Sequence, residues 1–224
     1  DRVVWATSMV ACGDADGAVT GNTRRFGASL EKIKQVVDVR KGEIMYGLNM
    51  IVHKGKTIFI GDTTVHEYPT SEQMAEIAIS TARVVRLFGF DPKVAFVSHS
   101  TFGQPLTSRT KHIRNAVEIL KKKEVDFEFD GDMQPDVALN PEYEELYPFA
   151  KIVGKANILI MPGQHSAAIS YKLMKTIGDT KVIGPLLIGL GLPIEIAPLR
   201  SSTSEILNLA SIAAYSADVI DYKK

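Results

Sequence analysis

The sequence predicts an α/β domain of three layers, α/β/α, around a mixed, mostly parallel sheet. Short runs of Val, Ile, Leu and Phe, bounded by Gly, Pro and Asp, alternate with longer stretches whose apolar residues recur at helical spacing. That alternation is the pattern of strand–helix–strand units. One tight turn, His53-Lys54-Gly55-Lys56, separates two strand-like runs and adds an antiparallel hairpin.

Residues 2–12 form the first helix, with Val4, Trp5, Met9 and Val10 as its apolar face and Gly13 as its stop. Asp14-Ala15-Asp16-Gly17 is a turn and Ala18-Val19-Thr20-Gly21 a short strand. Residues 26–39 read as a helix with Leu30, Ile33, Val36 and Val37 inward, broken at Gly42; residues 44–52 and 57–60 are the hairpin strands. Thr70 or Ser71 caps a long helix reaching residue 88, with Glu72 in its first turn and Gly89 after it. Residues 94–97 are a buried strand and 98–105 a polar loop. Thr107 or Ser108 starts a helix through Ile113, Val117 and Leu120, and Lys121-Lys122-Lys123 at its end complements the helix dipole. Residues 127–129 form a strand that runs into an Asp130-Gly131-Asp132 turn. Residues 135–148 are irregular, with a short acidic helix at 142–146. Then come a strand at 158–161, a helix at 166–177, strands at 182–190 and 194–196, and a last helix at 202–220. Crossings near residues 39–43 and 191–193 divide the chain into one lobe of 40–190 and another of 1–39 and 191–224.

Composition narrows the function classes. Lys plus Arg number 26 and Asp plus Glu 26, so the basic excess of a nucleic-acid binder is missing. No apolar run reaches the roughly 18 residues of a membrane span. The chain opens at Asp1-Arg2 directly in an amphipathic pattern, without a signal-peptide profile, and reads as a piece of something longer. Its one cysteine, Cys12, reads as a small buried apolar residue and allows neither an internal disulfide nor a cysteine metal site. A cytoplasmic location is expected.

Several stretches offer chemistry. Asp62-Thr63-Thr64-Val65-His66-Glu67 follows a strand, where open α/β sheets hold their ligands. His66 beside Glu67 suits an acid/base pair or a metal ligand, and equally suits local turn hydrogen bonding. Ser98-His99-Ser100-Thr101 also follows a strand, but neighbours in sequence seldom reach nucleophile–base geometry, and no G-x-S-x-G elbow is present. Asp130, Asp132 and Asp136 suit a Mg²⁺ site or, equally, helix capping and a solvated loop. There is neither a P-loop nor a G-x-G-x-x-G fingerprint; residues 184–191 read GPLLIGLG, with the wrong spacing. The strongest candidates are His165 and Ser166 through Tyr171 and Lys172, and Arg200, Ser201 and Ser202 through Glu205. Each presents hydroxyls at a helix start with a cation nearby, which favours phosphate or another anion.

These residues form a pattern. Pro162, Ser166-Ala167-Ala168-Ile169-Ser170-Tyr171-Lys172-Leu173 and Ile183-Gly184-Pro185-Leu186-Leu187-Ile188-Gly189-Leu190 resemble the C-terminal signature of phosphate acetyl- and butyryltransferases. Asp14-Ala15-Asp16-Gly17, Asp130-Gly131, Asp136-Val137-Ala138 and Asn208 extend the match over essentially the whole chain. Ile60-Gly61-Asp62-Thr63-Thr64-Val65-His66-Glu67, Leu146-Tyr147-Pro148-Phe149 and His165-Ser166-Ala167 resemble more closely the phosphotransacetylase-like C-terminal domain of bacterial NADP-dependent malic enzymes. The resemblance implies a fold like that of isocitrate and isopropylmalate dehydrogenases. Residues 40–190 would be the phosphotransacetylase-like second lobe, and 1–39 with 191–224 part of the first.

It also implies regulation. The domain would bind acetyl-CoA as an allosteric inhibitor and support a homo-oligomer, with NADP and divalent metal held in the malic enzyme's catalytic domains. The transferases' catalytic set is dismantled: by ungapped carry-over their Ser, Arg and Gly before the last helix fall on Pro198, Leu199 and Arg200, and their acidic base on Glu205. A Ser-Thr pair and an Arg near the start fall on Arg25-Phe26 and Glu31, and Asp and Asn positions on Gly163, His165 and Ala168. Losing one electrostatic contact to the transition state costs about 10²–10³ in rate, so little acyl transfer should survive. Arg24, Arg25, His165, Ser166, Tyr171, Lys172, Arg200, Ser201 and Ser202 are the expected contacts for the effector. The alternative is an active phosphate acetyltransferase with Glu205 as base and Arg200 as phosphate clamp.

Overall fold

The computed structural model describes residues 1–220 and 222. The order is α1 (Arg2–Cys12), β1 (Ala18–Gly21), α2 (Phe26–Ile33), β2 (Tyr46–His53), β3 (Lys56–Gly61), α3 (Ser71–Leu87), β4 (Lys93–Val97) and α4 (Ser108–Lys123). Then follow β5 (Glu128–Met133), α5 (Pro135–Leu139), a 3₁₀ turn (Pro141–Tyr143), β6 (Ile158–Ile160), α6 (Gln164–Ile177), β7 (Lys181–Ile188), β8 (Ile194–Ala197) and α7 (Thr203–Val219). Two units share these elements: Asp1–Leu48 with Ile183–Lys224, and Asn49–Val182. Among the described residues no helix is long and apolar enough to cross a membrane.

In the first unit β1 pairs parallel with β8, from Ala18↔Ile194 to Gly21↔Ala197. Helices α1, α2 and α7 pack around this pair. Gly21 has φ +97, and a side chain there would run into the Ala197 carbonyl. Helix α1 buries Val3, Thr7 and Val10, one helical stripe. The expected face holds at Val10 but fails at Trp5 and Met9, which are 73% and 38% exposed, and Cys12 is exposed rather than buried. The sequence of α1 is apolar on most sides, so its spacing does not single out a face. Helix α2 stops at Ile33, short of residue 39, because the N–H groups of Val36 and Val37 both return to the Ile33 carbonyl.

The second unit carries strands in the order β5-β4-β6-β3, with β2 beside β3. The β3–β6, β4–β6 and β4–β5 pairs are parallel. Strands β2 and β3 meet in the expected hairpin; Lys54 and Gly55 have φ of 46° and 79°, the left-handed pair of a type I′ turn. A core of Ile60, Ala95, Leu159, Met133 and Ile152 lies against one face. Strand β5 runs on through the expected turn to Met133, because Gly131 lets the chain pass close against Phe96. Pro135 at the first position starts α5 where no regular structure was expected, and the predicted acidic helix shrinks to the 3₁₀ turn. Thr70 with Gln73 and Thr107 with Thr110 form capping boxes at α3 and α4, as the caps predict.

Candidate functional site

Three segments of the second unit enclose a cavity of about 280 Å³ beyond the carboxyl ends of β3 and β6. The connection after β3 contributes Glu67, Tyr68 and Pro69. The first turns of α4 contribute Ser108, Arg109, His112 and Ile113. The start of α6 contributes Pro162, Gly163, His165 and Ser166. Two of the sequence-predicted residues, His165 and Ser166, line it. Arg109 and His112 were not foreseen; the only signal for them is their place in the first turns of a helix that follows a strand's carboxyl end.

The wall after β3 is set by one carboxylate. Asp62 is 1% exposed. Its oxygens accept from the backbone N–H groups of Thr64 (2.8 Å), Val65 (3.1 Å) and His66 (2.7 Å) and lie 2.7 Å from His66 Nδ1. His66 is therefore spent on its own turn, and its carbonyl accepts from the Gln164 N–H at 3.0 Å, which joins this wall to α6. Helix α6 has Gly163 at its N-cap and no side-chain cap, and the Ser166 hydroxyl donates to the Gly163 carbonyl at 2.9 Å. One cation, Arg109, two histidines and two helix N-termini thus line the cavity beside a single acid, Glu67, and the helix starts with Arg109 suit an anion.

The other candidates of this unit have separate tasks. Tyr171 packs against the core, and burial pushes its phenol above the usual range. The Lys172 ammonium lies 5.8 Å from the Tyr171 ring centre. Asp130 accepts from the N–H groups of Gly131 and Lys151, Asp136 from the Tyr143 hydroxyl, and Asp132 from the Ser100 hydroxyl. Among the described residues no group of three or more His, Cys, Asp or Glu is arranged to hold a metal. The carbonyl of exposed His99 accepts from the Gln134 amide, and Ser100 faces a carboxylate rather than a histidine base.

In the first unit the turns after β1 and β8 lie side by side. The Asn22 N–H donates to the Ala197 carbonyl (2.9 Å) and the Arg200 N–H to the Asn22 carbonyl (3.1 Å). Arg24 pairs with Asp1 at 2.6 Å, whereas Arg25 and Arg200 are exposed. The Ser201 hydroxyl donates to the Pro198 carbonyl at 2.9 Å. Ser202 caps α7, and the Glu205 carboxylate closes the box, 2.7 Å from the Ser202 N–H and 2.9 Å from its hydroxyl. The carboxylate at the expected base position is thereby tied into a helix cap.

Comparison with known proteins adds the following. The family described as "Phosphate acetyl/butaryl transferase" matches residues 1–214. An NADP-dependent malic enzyme of Rhizobium meliloti is 46% identical over 97% of this chain, which spans 28% of that protein. A phosphate acetyltransferase of Clostridium acetobutylicum is 33% identical over 97% of this chain and 68% of its own length. The crystal structure of a phosphotransacetylase from Streptococcus pyogenes superposes with a TM-score of 0.91 at 30% identity, over 97% of this chain and 68% of the other.

Proposed function

The chain belongs to the phosphate acetyl/butaryl transferase family and corresponds to the phosphotransacetylase-like domain of NADP-dependent malic enzymes, and from that premise we propose that it senses acetyl-CoA instead of turning it over. The observation that carries this reading is the contrast between an open cavity lined by Arg109, His112, His165 and Ser166 and a base-position carboxylate, Glu205, held in a capping box. CoA brings several phosphate charges, which Arg109 and the helix starts of the cavity suit. Exposed Arg25 and Arg200, with Ser201 and Ser202, are phosphate contacts proposed for the first unit by itself. Lys172, whose ammonium lies over the core-packed Tyr171 ring, is the outer contact on α6.

In this reading the chain is the C-terminal regulatory part of a cytoplasmic malic enzyme. NADP and divalent metal act in catalytic domains outside the present sequence, and acetyl-CoA lowers their activity. The fold would belong with the three-layer isocitrate and isopropylmalate dehydrogenase-like class. Self-association is part of the proposal: Ile169, Leu173 and Ile177, spaced four residues apart on α6, are 55%, 54% and 82% exposed, a stripe that suits a two-fold contact.

Calorimetric titration of acetyl-CoA into the protein, with malate oxidation by the full malic enzyme as second readout, tests the proposal. Saturable binding with inhibition is expected; no heat and no inhibition would overturn it. The likeness to phosphate acetyltransferases favours a second reading, active acetyl transfer. Thioester formation from acetyl phosphate and CoA, lost in Glu205→Gln, would establish that reading.

A further inference from the structure

One wall of the cavity has a hydrogen-bond arrangement that is complete in two protonation states. His112 Nε2 lies 2.8 Å from the Pro69 carbonyl, which only accepts, so this nitrogen carries a proton. His112 Nδ1 lies 3.1 Å from Ser71 Oγ, and the same hydroxyl lies 2.8 Å from the His112 carbonyl. With a neutral ring, the Ser71 hydroxyl donates to Nδ1. With a charged ring, Nδ1–H donates to Ser71 Oγ and the hydroxyl turns its hydrogen to the His112 carbonyl. Neither state leaves a polar atom of the ring unpaired, and Ser71 is 6% exposed, so water does not compete freely for its hydroxyl.

We propose that His112 couples proton uptake to anion binding: a phosphate group entering the cavity draws a solvent proton onto Nδ1, and the Ser71 hydroxyl reverses its donation to accept it. The proposal rests on the cavity being the acetyl-CoA site. The charged groups around the ring are Arg109 one turn earlier on α4, His165 from α6, Glu67 from the connection after β3 and Glu72 from the first turn of α3. Glu72 is held below the usual carboxylate range first by backbone and Thr70 hydrogen bonds, and also by the field of His112. Of the side-chain types in this set, imidazole is the one whose ordinary charge change falls between about pH 5 and 8. Ring charge and phosphate stabilise each other, so the proton tightens the anion by the same factor as the anion tightens the proton.

The test compares the unsubstituted protein with His112→Gln and His165→Gln by acetyl-CoA calorimetry at pH 6 and pH 8. Titration of the ligand's own phosphates is common to all three and cancels. We expect His112→Gln to weaken binding about fivefold at pH 6 and less than about twofold at pH 8. Titrations of the unsubstituted protein in two buffers of different ionisation enthalpy should show net proton uptake at pH 7. That uptake should persist in His165→Gln and vanish in His112→Gln. An equal loss at both pH values, or uptake that follows His165, overturns the proposal. If His112→Gln does not fold, absence of proton uptake in the unsubstituted protein overturns it alone. If acetyl-CoA fails to bind at either pH, the sensing reading falls, and the same comparison with inorganic pyrophosphate decides the proton coupling. Pyrophosphate that fails to bind, or binds without proton uptake, then overturns the coupling as well.

Discussion

The two units place polar turns after parallel strands and then use them differently. In the first unit the turns after β1 and β8 close on themselves: Arg24 holds Asp1, Ser201 holds the Pro198 carbonyl and Glu205 closes the cap of α7. In the second unit Asp62 absorbs its own turn, and that rigid turn leaves Glu67, Arg109, His112 and His165 around open space. A carboxylate consumed by a helix cap is a poor candidate for a general base, whatever position of a family motif it occupies. The units also differ in how they bury carboxylates. Asp62 has three backbone donors and a histidine, whereas the Glu195 carboxylate accepts from the Leu187 N–H at 2.9 Å.

The last difference carries the largest expected effect. Burial pushes the Glu195 carboxyl from its ordinary 4.5 up to about 8, against the opposing pull of the Leu187 N–H. Between those values the folded protein keeps a proton that the unfolded chain has released. Stability is therefore highest below the lower value and falls as pH rises through the window, by about 1.4 kcal/mol per pH unit in its middle. Urea unfolding at a series of pH values should show this slope, and Glu195→Gln should flatten it. Equal slopes in the two proteins would show that the first unit solvates this carboxylate as well as the second solvates Asp62.

The next effect lies in the cavity wall. A side chain at Gly163 would run into the Glu67 carbonyl, so the backbone has closed over the position where carry-over from the transferases puts an Asp. Gly163→Ala should destabilise by about 2–3 kcal/mol through overpacking and weaken acetyl-CoA binding by moving Glu67. Denaturant midpoint and calorimetry measure the two. An unchanged midpoint would mean that this wall is soft and the contrast between the units overstated.

A smaller change is expected at the first unit's cap. Glu205→Ala removes one half of a capping box and should cost about 1 kcal/mol. Acetyl transfer from acetyl phosphate to CoA should be no different before and after. A loss of transfer activity without loss of stability would make Glu205 a base after all and erase the difference between the units.

Much of this was legible where the signal is local. Thr70, Thr107 and Ser202 announce their helices because a hydroxyl before an apolar-periodic run satisfies an orphan N–H. Lys54-Gly55 announces its turn because two left-handed residues fit a tight hairpin. What failed depends on partners distant in the chain. The inward face of α1 is chosen by the elements packed on it, so Trp5, Met9 and Cys12 were misplaced. Strand β5 passes its aspartates because Phe96 of β4 pairs alongside. His165 and Ser166 were found from one segment, but Arg109 and His112 become site residues only when α4 is brought against two other segments.

Arg200 supplies the smallest prediction and a link between backbone and function. Carry-over from the transferases places a Gly at this position, and the residue here has φ 62°, the left-handed conformation that a Gly adopts without strain. The turn has thus kept a glycine's backbone while carrying an arginine. A non-glycine residue in that region costs on the order of 1 kcal/mol, and such strain points to a use for the side chain. Arg200→Gly should therefore stabilise the protein by about 0.5–1 kcal/mol and, if the exposed guanidinium meets a CoA phosphate, weaken acetyl-CoA about threefold or more. Thermal unfolding and calorimetry on one variant read both signs at once. A gain in stability with unchanged affinity would leave the first unit's turns without a part in binding; a gain coupled to weaker binding would give those turns a binding role of their own.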